Sequence, residues 1–152
     1  MRHFLCVLAF LGYINANLNG QIVQGGDTLL GNEWIDYAQT YFRIKVAKDG
    51  LYRLNYQQML SQGLPAALNG QVLQLYRYGQ PVPIYVSTPG TMGSNDYLEF
   101  YGEANRGVID QYLFANPEEE NLNPWYSMFN DTITYYLSWQ NNGPAARYTT
   151  VQ

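Results

Sequence analysis

Hydrophobic and polar positions alternate with a period of two in several short stretches of this chain. The strongest is residues 131–139, where Ile133, Tyr135, Leu137 and Trp139 fall on one side and Thr132, Thr134, Tyr136 and Ser138 on the other. That period belongs to a half-buried strand, and the residues are mostly the β-branched and aromatic types that suit a pleated surface. Residues 41–46 repeat the pattern, with Phe42, Ile44 and Val46 predicted inward and Tyr41, Arg43 and Lys45 outward. Lys48-Asp49-Gly50 reads as a tight turn with Gly50 free to take positive φ, and residues 51–54 as the strand returning beside 41–46. Further strands are expected at 71–76, at 82–86 after a Gly79-Gln80-Pro81 turn, and at 97–101, ending at Gly102. Another is expected at 147–152 after an Asn142-Gly143-Pro144 turn. Residues 21–31 are expected to be a flexible lead-in or short edge strand, and 116–124 an acidic loop.

One short helix interrupts the strands. Asn55 stands at its start with Gln58 three residues on, the spacing of a capping box, and Leu54 and Met59 are placed for a hydrophobic staple. Gly63 ends it and Pro65 prevents its resumption. Many short strands, frequent Gly, Pro and Asn turns and one short helix predict a mostly β fold: an antiparallel β-sandwich or open barrel. No internal repeat is apparent.

The first twenty residues change the picture. Met1-Arg2-His3 is a basic start, residues 4–14 are apolar and residues 15–20 are small and polar. This is the order of a secretory signal peptide, and its apolar run is short for a membrane span. Cleavage is expected after Ala16 or, by preference, after Gly20, leaving residues 21–152 as one β-rich domain. Cys6 lacks the small preceding residues of a lipoprotein site and reads as part of the apolar run. No other apolar stretch reaches the ~18 residues of a membrane helix, so no transmembrane segment is expected. An exported product is implied, in the periplasm, at the outer-membrane surface or outside the cell. The chain stops at Gln152 on a predicted strand without a closing polar tail, so it is expected to be the N-terminal part of a longer polypeptide.

Composition narrows the chemistry. Cys6 and His3 are the sole cysteine and histidine, and both lie in the leader. The mature chain therefore has no disulfide framework, no zinc ligands of the usual kind and no Cys–His or Ser–His pair for nucleophilic catalysis. Lys45 and Lys48 lie at the predicted hairpin, where solvation suits neither to a Ser–Lys mechanism. No catalytic residue, metal or cofactor is assigned. The net charge is −4, more negative by one without Arg2, and no basic stripe suggests nucleic acid as a partner. Asp96, Glu99, Glu103, Asp110 and Glu118–Glu120 could in principle pair for glycoside hydrolysis or hold calcium. No Asp-x-Asp-x-Asp-Gly loop is present, and a charge run is ordinarily a solvated surface. Asn130-Asp131-Thr132 matches a glycosylation sequon, and is equally a strand-entry turn.

The chain has 15 tyrosines. Tyr41, Tyr76, Tyr85, Tyr97, Tyr101 and Tyr136 alternate out of predicted strands. Such residues are commonly the amphipathic edge of a core, but can also present a face to carbohydrate or protein. Tyr97, Tyr101 and Tyr136 are the candidate binding surface.

Several of these segments together resemble a known family. They are Trp34 with residues 41–54, which contain Lys48-Asp49-Gly50-Leu51-Tyr52-Arg53; residues 75–79 with 83–86; Asp96-Tyr97-Leu98-Glu99-Phe100-Tyr101-Gly102; and residues 130–137. In that order they resemble the N-terminal, non-catalytic region of the PorU-type sortases, gingipain-like cysteine peptidases of the type IX secretion system. The resemblance spans most of residues 34–139. It implies a β-rich domain serving folding, docking or a pro-domain-like cover. The partner it implies is a cysteine peptidase domain in cis or in trans, together with type IX secretion components at the outer membrane. The catalytic Cys and His of such enzymes belong to a later domain, so no catalytic residue carries over. The alternative is a stand-alone carbohydrate- or protein-binding β-sandwich at the cell surface.

Overall fold

A computed structural model of the 152-residue chain describes residues 22–24, 27–29, 32–123, 125–140 and 145–148. The leader expected over residues 1–20, with His3 and Cys6, lies outside the described residues. So do the Asn142-Gly143-Pro144 turn and residues 149–152 of the predicted last strand. The chain divides into two units, Met1–Leu30 and Gly31–Gln152. In the first, β1 (Ile22–Gln24) and β2 (Asp27–Leu29) pair antiparallel, Val23 opposite Thr28.

The second unit is mostly strand. Its elements are β3 (Phe42–Val46), β4 (Gly50–Asn55), α1 (Tyr56–Ser61), β5 (Gln74–Arg77), β6 (Gln80–Val82), β7 (Tyr85–Val86), β8 (Tyr97–Gly102), α2 (Pro117–Glu120) and β9 (Ile133–Ser138). They form two antiparallel sheets, one of four strands in the order β3-β9-β5-β6 and one of three in the order β4-β8-β7. Alternation puts Val46 of β3, Leu75 of β5, Leu98 and Phe100 of β8, and Tyr135 and Leu137 of β9 in one core. Phe100 and Tyr135, one from each sheet, meet with ring centroids 5.2 Å apart. The sheets share no strand among the described residues, so the arrangement is a sandwich rather than a barrel.

The predicted hairpin at residues 41–54 does not form. β3 pairs with β9, Ile44 opposite Tyr135, and β4 pairs with β8, Arg53 opposite Glu99. The turn at Lys48-Asp49 thus carries the chain from one sheet to the other. Gly50 begins β4 and is not among the positive-φ residues. What shapes the corner is Asp49, whose carboxylate accepts a hydrogen bond from the Ala104 amide at 2.8 Å and pairs with Arg106.

Other boundaries shift for local reasons. The strand expected at 71–76 is preceded by a 3-10 turn over Gly70–Val72, because the Asn69 side chain accepts from the Gln71 amide. The run expected at 82–86 divides into β6 and β7 in different sheets, parted at Pro83 and Ile84. Tyr78 and Gly79, both at positive φ, make the two-residue β5–β6 turn one position earlier than expected, the geometry of a type I′ hairpin. Ser138, predicted outward, is fully buried, its hydroxyl donating to the Gln39 side-chain oxygen at 3.2 Å.

α1 begins and ends where expected, by a different start. The Asn55 side chain makes no capping bond; the Tyr56 amide instead donates to the Asp96 carbonyl at 2.9 Å. At the other end the Leu64 amide reaches the Met59 carbonyl and the Gly63 amide the Leu60 carbonyl, each at 3.0 Å, with Gly63 at φ +103°. That is a Schellman termination, and Leu64 and Met59 are buried beneath it. The expected acidic loop contains α2, whose Glu120 carboxylate accepts from the amides of Ala115 and Asn116.

Candidate functional site

The tyrosines expected to share one surface divide between the two sheets. On β8 the residues Tyr97, Glu99 and Tyr101 point away from the core, while Leu98, Phe100 and Gly102 point into it. Across from them on β4 stand Asn55, Arg53 and Leu51, and on β7 Tyr85 faces Glu99. The centre of this outer face is an ion pair, Arg53 Nη2 to Glu99 Oε1 at 2.7 Å. The same guanidinium lies 3.9 Å from the centroid of the Tyr97 ring. Hydrogen bonding to Glu99 raises the Arg53 pKa above its ordinary value. Tyr85, Tyr101 and Leu51 border the pair and are exposed. Tyr97 and Tyr101 of the candidate surface are therefore brought together, on either side of a fixed cation and anion.

Tyr136 is not with them. It projects from β9 on the outer face of the four-stranded sheet, where Trp34 lies over it with ring centroids 5.2 Å apart. Trp34 also meets Tyr41 at 5.9 Å and Tyr76 at 5.6 Å. Edge-on and tilted contacts of this kind are packing, so Tyr136 is covered by its own chain rather than offered to a ligand.

Sequence reasoning passed over the longest connection, between β8 and β9. It begins in structured contacts. Arg77 is held between Glu103, with which it pairs, and the Tyr135 hydroxyl, to which it donates at 3.2 Å. Burial works against the Arg77 charge, but these partners outweigh it and its pKa is raised. Asp110 is buried, and its carboxylate accepts from the Met128 amide at 3.0 Å, tying the two ends of the connection together. Beyond that tie the connection turns apolar groups outward. Tyr112, Leu113, Leu122, Trp125, Met128 and Phe129 are all more than half exposed. The signal was present in Trp125-Tyr126-Ser127-Met128-Phe129, an apolar run whose alternation fits no strand and whose flanks are rich in Asn.

Five of the seven carboxylates weighed for hydrolysis take separate structural partners. Asp96 accepts from the Ser87 hydroxyl and the Gly93 amide, each at 2.7 Å, and the two bonds lower its pKa. Glu99 is held by Arg53, Glu103 by Arg77, and Glu120 by the start of α2. Among the described residues no group of three or more His, Cys, Asp or Glu side chains is placed to hold a metal ion. Among them, too, no helix is long and apolar enough to cross a membrane.

Compared with protein-family models, curated proteins and solved structures, the chain matches none.

Proposed function

We propose that this chain is a non-catalytic docking domain of an exported type IX secretion sortase. It works by seating a gingipain-like cysteine peptidase domain, in cis or in trans, at the outer-membrane surface or in the periplasm. The observation that carries this reading is the β8–β9 connection, where Trp125, Met128 and Phe129 stand in solvent on a backbone pinned by Asp110. Aromatic residues and methionine are the types enriched at the centres of protein interfaces, and exposed apolar groups so concentrated mark a surface that another protein covers. The sequence motifs supply the identity of that protein. In this reading the chain itself performs no chemistry.

The test starts from the DNA beyond codon 152, which is expected to encode a Cys/His peptidase domain. That domain, expressed separately, is expected to bind residues 21–152 in a calorimetric titration. Trp125→Ala with Phe129→Ala is expected to weaken the complex by at least about tenfold, as for paired hot-spot residues. An unrelated downstream sequence removes the cis arrangement, and a gingipain-like peptidase domain, encoded downstream or elsewhere, that ignores the chain sinks the proposal.

The outer face of the β4-β8-β7 sheet favours a second reading, a carbohydrate-binding sandwich. Tyr85 and Tyr101 offer exposed rings, and Arg53 and Glu99 offer polar groups beside them. Glycan-array binding lost in Tyr101→Ala and retained in Trp125→Ala would turn the choice toward it.

A further inference from the structure

The four-stranded sheet ends at β3, which pairs with β9 on one side and, among the described residues, with no strand on the other. Its free edge borders a groove of about 350 Å³. Phe42 and Ile44 of β3, Leu54 of β4 and Met59 of α1 make the groove apolar, and Gln58 and Gln62 close its helical side. An open strand edge beside an apolar groove and a helix is the arrangement by which domains accept an extended peptide as an additional strand: the backbone edge supplies hydrogen bonds and the groove takes alternate side chains.

The side chains of β3 specify what such a strand must carry. Phe42, Ile44 and Val46 face the core side, so residues opposite them would point toward the groove and should be apolar. Arg43 and Lys45 face outward into solvent. Among the described residues neither takes part in an ion pair, while the chain as a whole carries a net charge of −4. Residues opposite these two cations should be acidic. A second copy of β3 is a poor occupant, because it would set Arg43 and Lys45 against their own kind. β4 also lies at a sheet edge, but its outward cation Arg53 is already neutralised by Glu99.

We infer that the β3 edge is a β-augmentation site for an extended peptide segment in which apolar and acidic residues alternate. This site is separate from the exposed β8–β9 connection, and the two stand or fall independently.

The test uses residues 21–152 and a capped hexapeptide alternating valine with glutamate, followed by NMR titration. Shifts are expected to concentrate on the amides of residues 42–46, and the lysine-for-glutamate peptide is expected to bind at least about tenfold more weakly. Two further peptides carry N-methyl groups on every second amide, one on the valines and one on the glutamates. Only one set can face β3, so one of the two is expected to lose binding and the other to keep it. Arg43→Glu with Lys45→Glu, both at exposed positions, is expected to reverse the preference toward the lysine peptide while the circular dichroism spectrum is unchanged. Absence of shifts at millimolar peptide, equal binding of both charge types, or indifference to both methylated peptides would each overturn the inference. So would a homodimer formed through β3 that survives the charge reversal.

Discussion

Gly79 and Trp34 are the pair on which the covered tyrosines depend, and their coupling can be measured. Gly79 has φ +75°, and a Cβ placed there would lie 2.7 Å from Trp34 Cγ and 2.9 Å from Trp34 Cβ. Gly79→Ala therefore meets two costs. The left-handed conformation costs a non-glycine residue about 1–2 kcal/mol. Displacing the indole from three tyrosine rings adds more, since each aromatic pair contributes about 0.5–1.5 kcal/mol beyond its buried area. If half of that contact is lost, the total is about 2–4 kcal/mol. Trp34→Ala alone removes all three contacts and should cost about 2–4 kcal/mol. In the Trp34→Ala background the alanine at 79 has no ring to strike, and only the backbone cost remains. A double-mutant cycle by urea unfolding, followed by far-ultraviolet circular dichroism, should return a coupling of about 1–2 kcal/mol. Additivity within about 0.3 kcal/mol would mean that Trp34 is not seated against the β5–β6 turn, and the assignment of Tyr136 to packing would fail with it.

Three further outcomes separate core from surface and turn from strand. Phe100→Ala, emptying the contact between the two sheets, should cost about 3–5 kcal/mol in urea unfolding, whereas exposed Tyr101→Ala should stay within about 0.5 kcal/mol; equal losses would contradict the facing assigned along β8. Gly63→Ala should cost about 1–2 kcal/mol through its positive φ, read as a lowered urea midpoint with an unchanged slope. Asp96 has a lowered folded pKa, so its stabilising contribution is complete above the unfolded value near pH 4 and is lost as pH falls through the folded one. Asp96→Asn should therefore flatten the decline in stability below about pH 4, and a variant with the wild-type acid slope would show that the Ser87 and Gly93 bonds do not act through that carboxylate.

Much of this fold can be read from residue pattern, and the failures share a cause. β8 and β9 were legible because each alternates cleanly and buries one face. The C-terminal end of α1 was legible because Gly63 and Pro65 act locally, whereas its start rests on the distant Asp96 carbonyl. The partner of β3 was not. Lys-Asp-Gly between two alternating runs is a hairpin signal, but pairing is settled by which distant strand completes the core, and nothing within residues 41–54 encodes β8 or β9. The same limit hid the fate of Tyr136: alternation placed it outward correctly, but only the chain path of Trp34 covers it. Ser138 was misread because period two assigns a side, not whether Gln39 will cross that side. Of the candidate surface, Tyr97 and Tyr101 could be found from β8 alone, since one strand carries both.

β9 lies between β3 and β5, and so joins the earliest strand of the sandwich to its middle. A nascent chain still lacking Ile133–Ser138 has made β3 and β5 but holds nothing that can link them. Contacts closed across so long a span of sequence form slowly. The four-stranded sheet therefore cannot close until β9 has been made, whereas β4, β7 and β8 can already pair with one another.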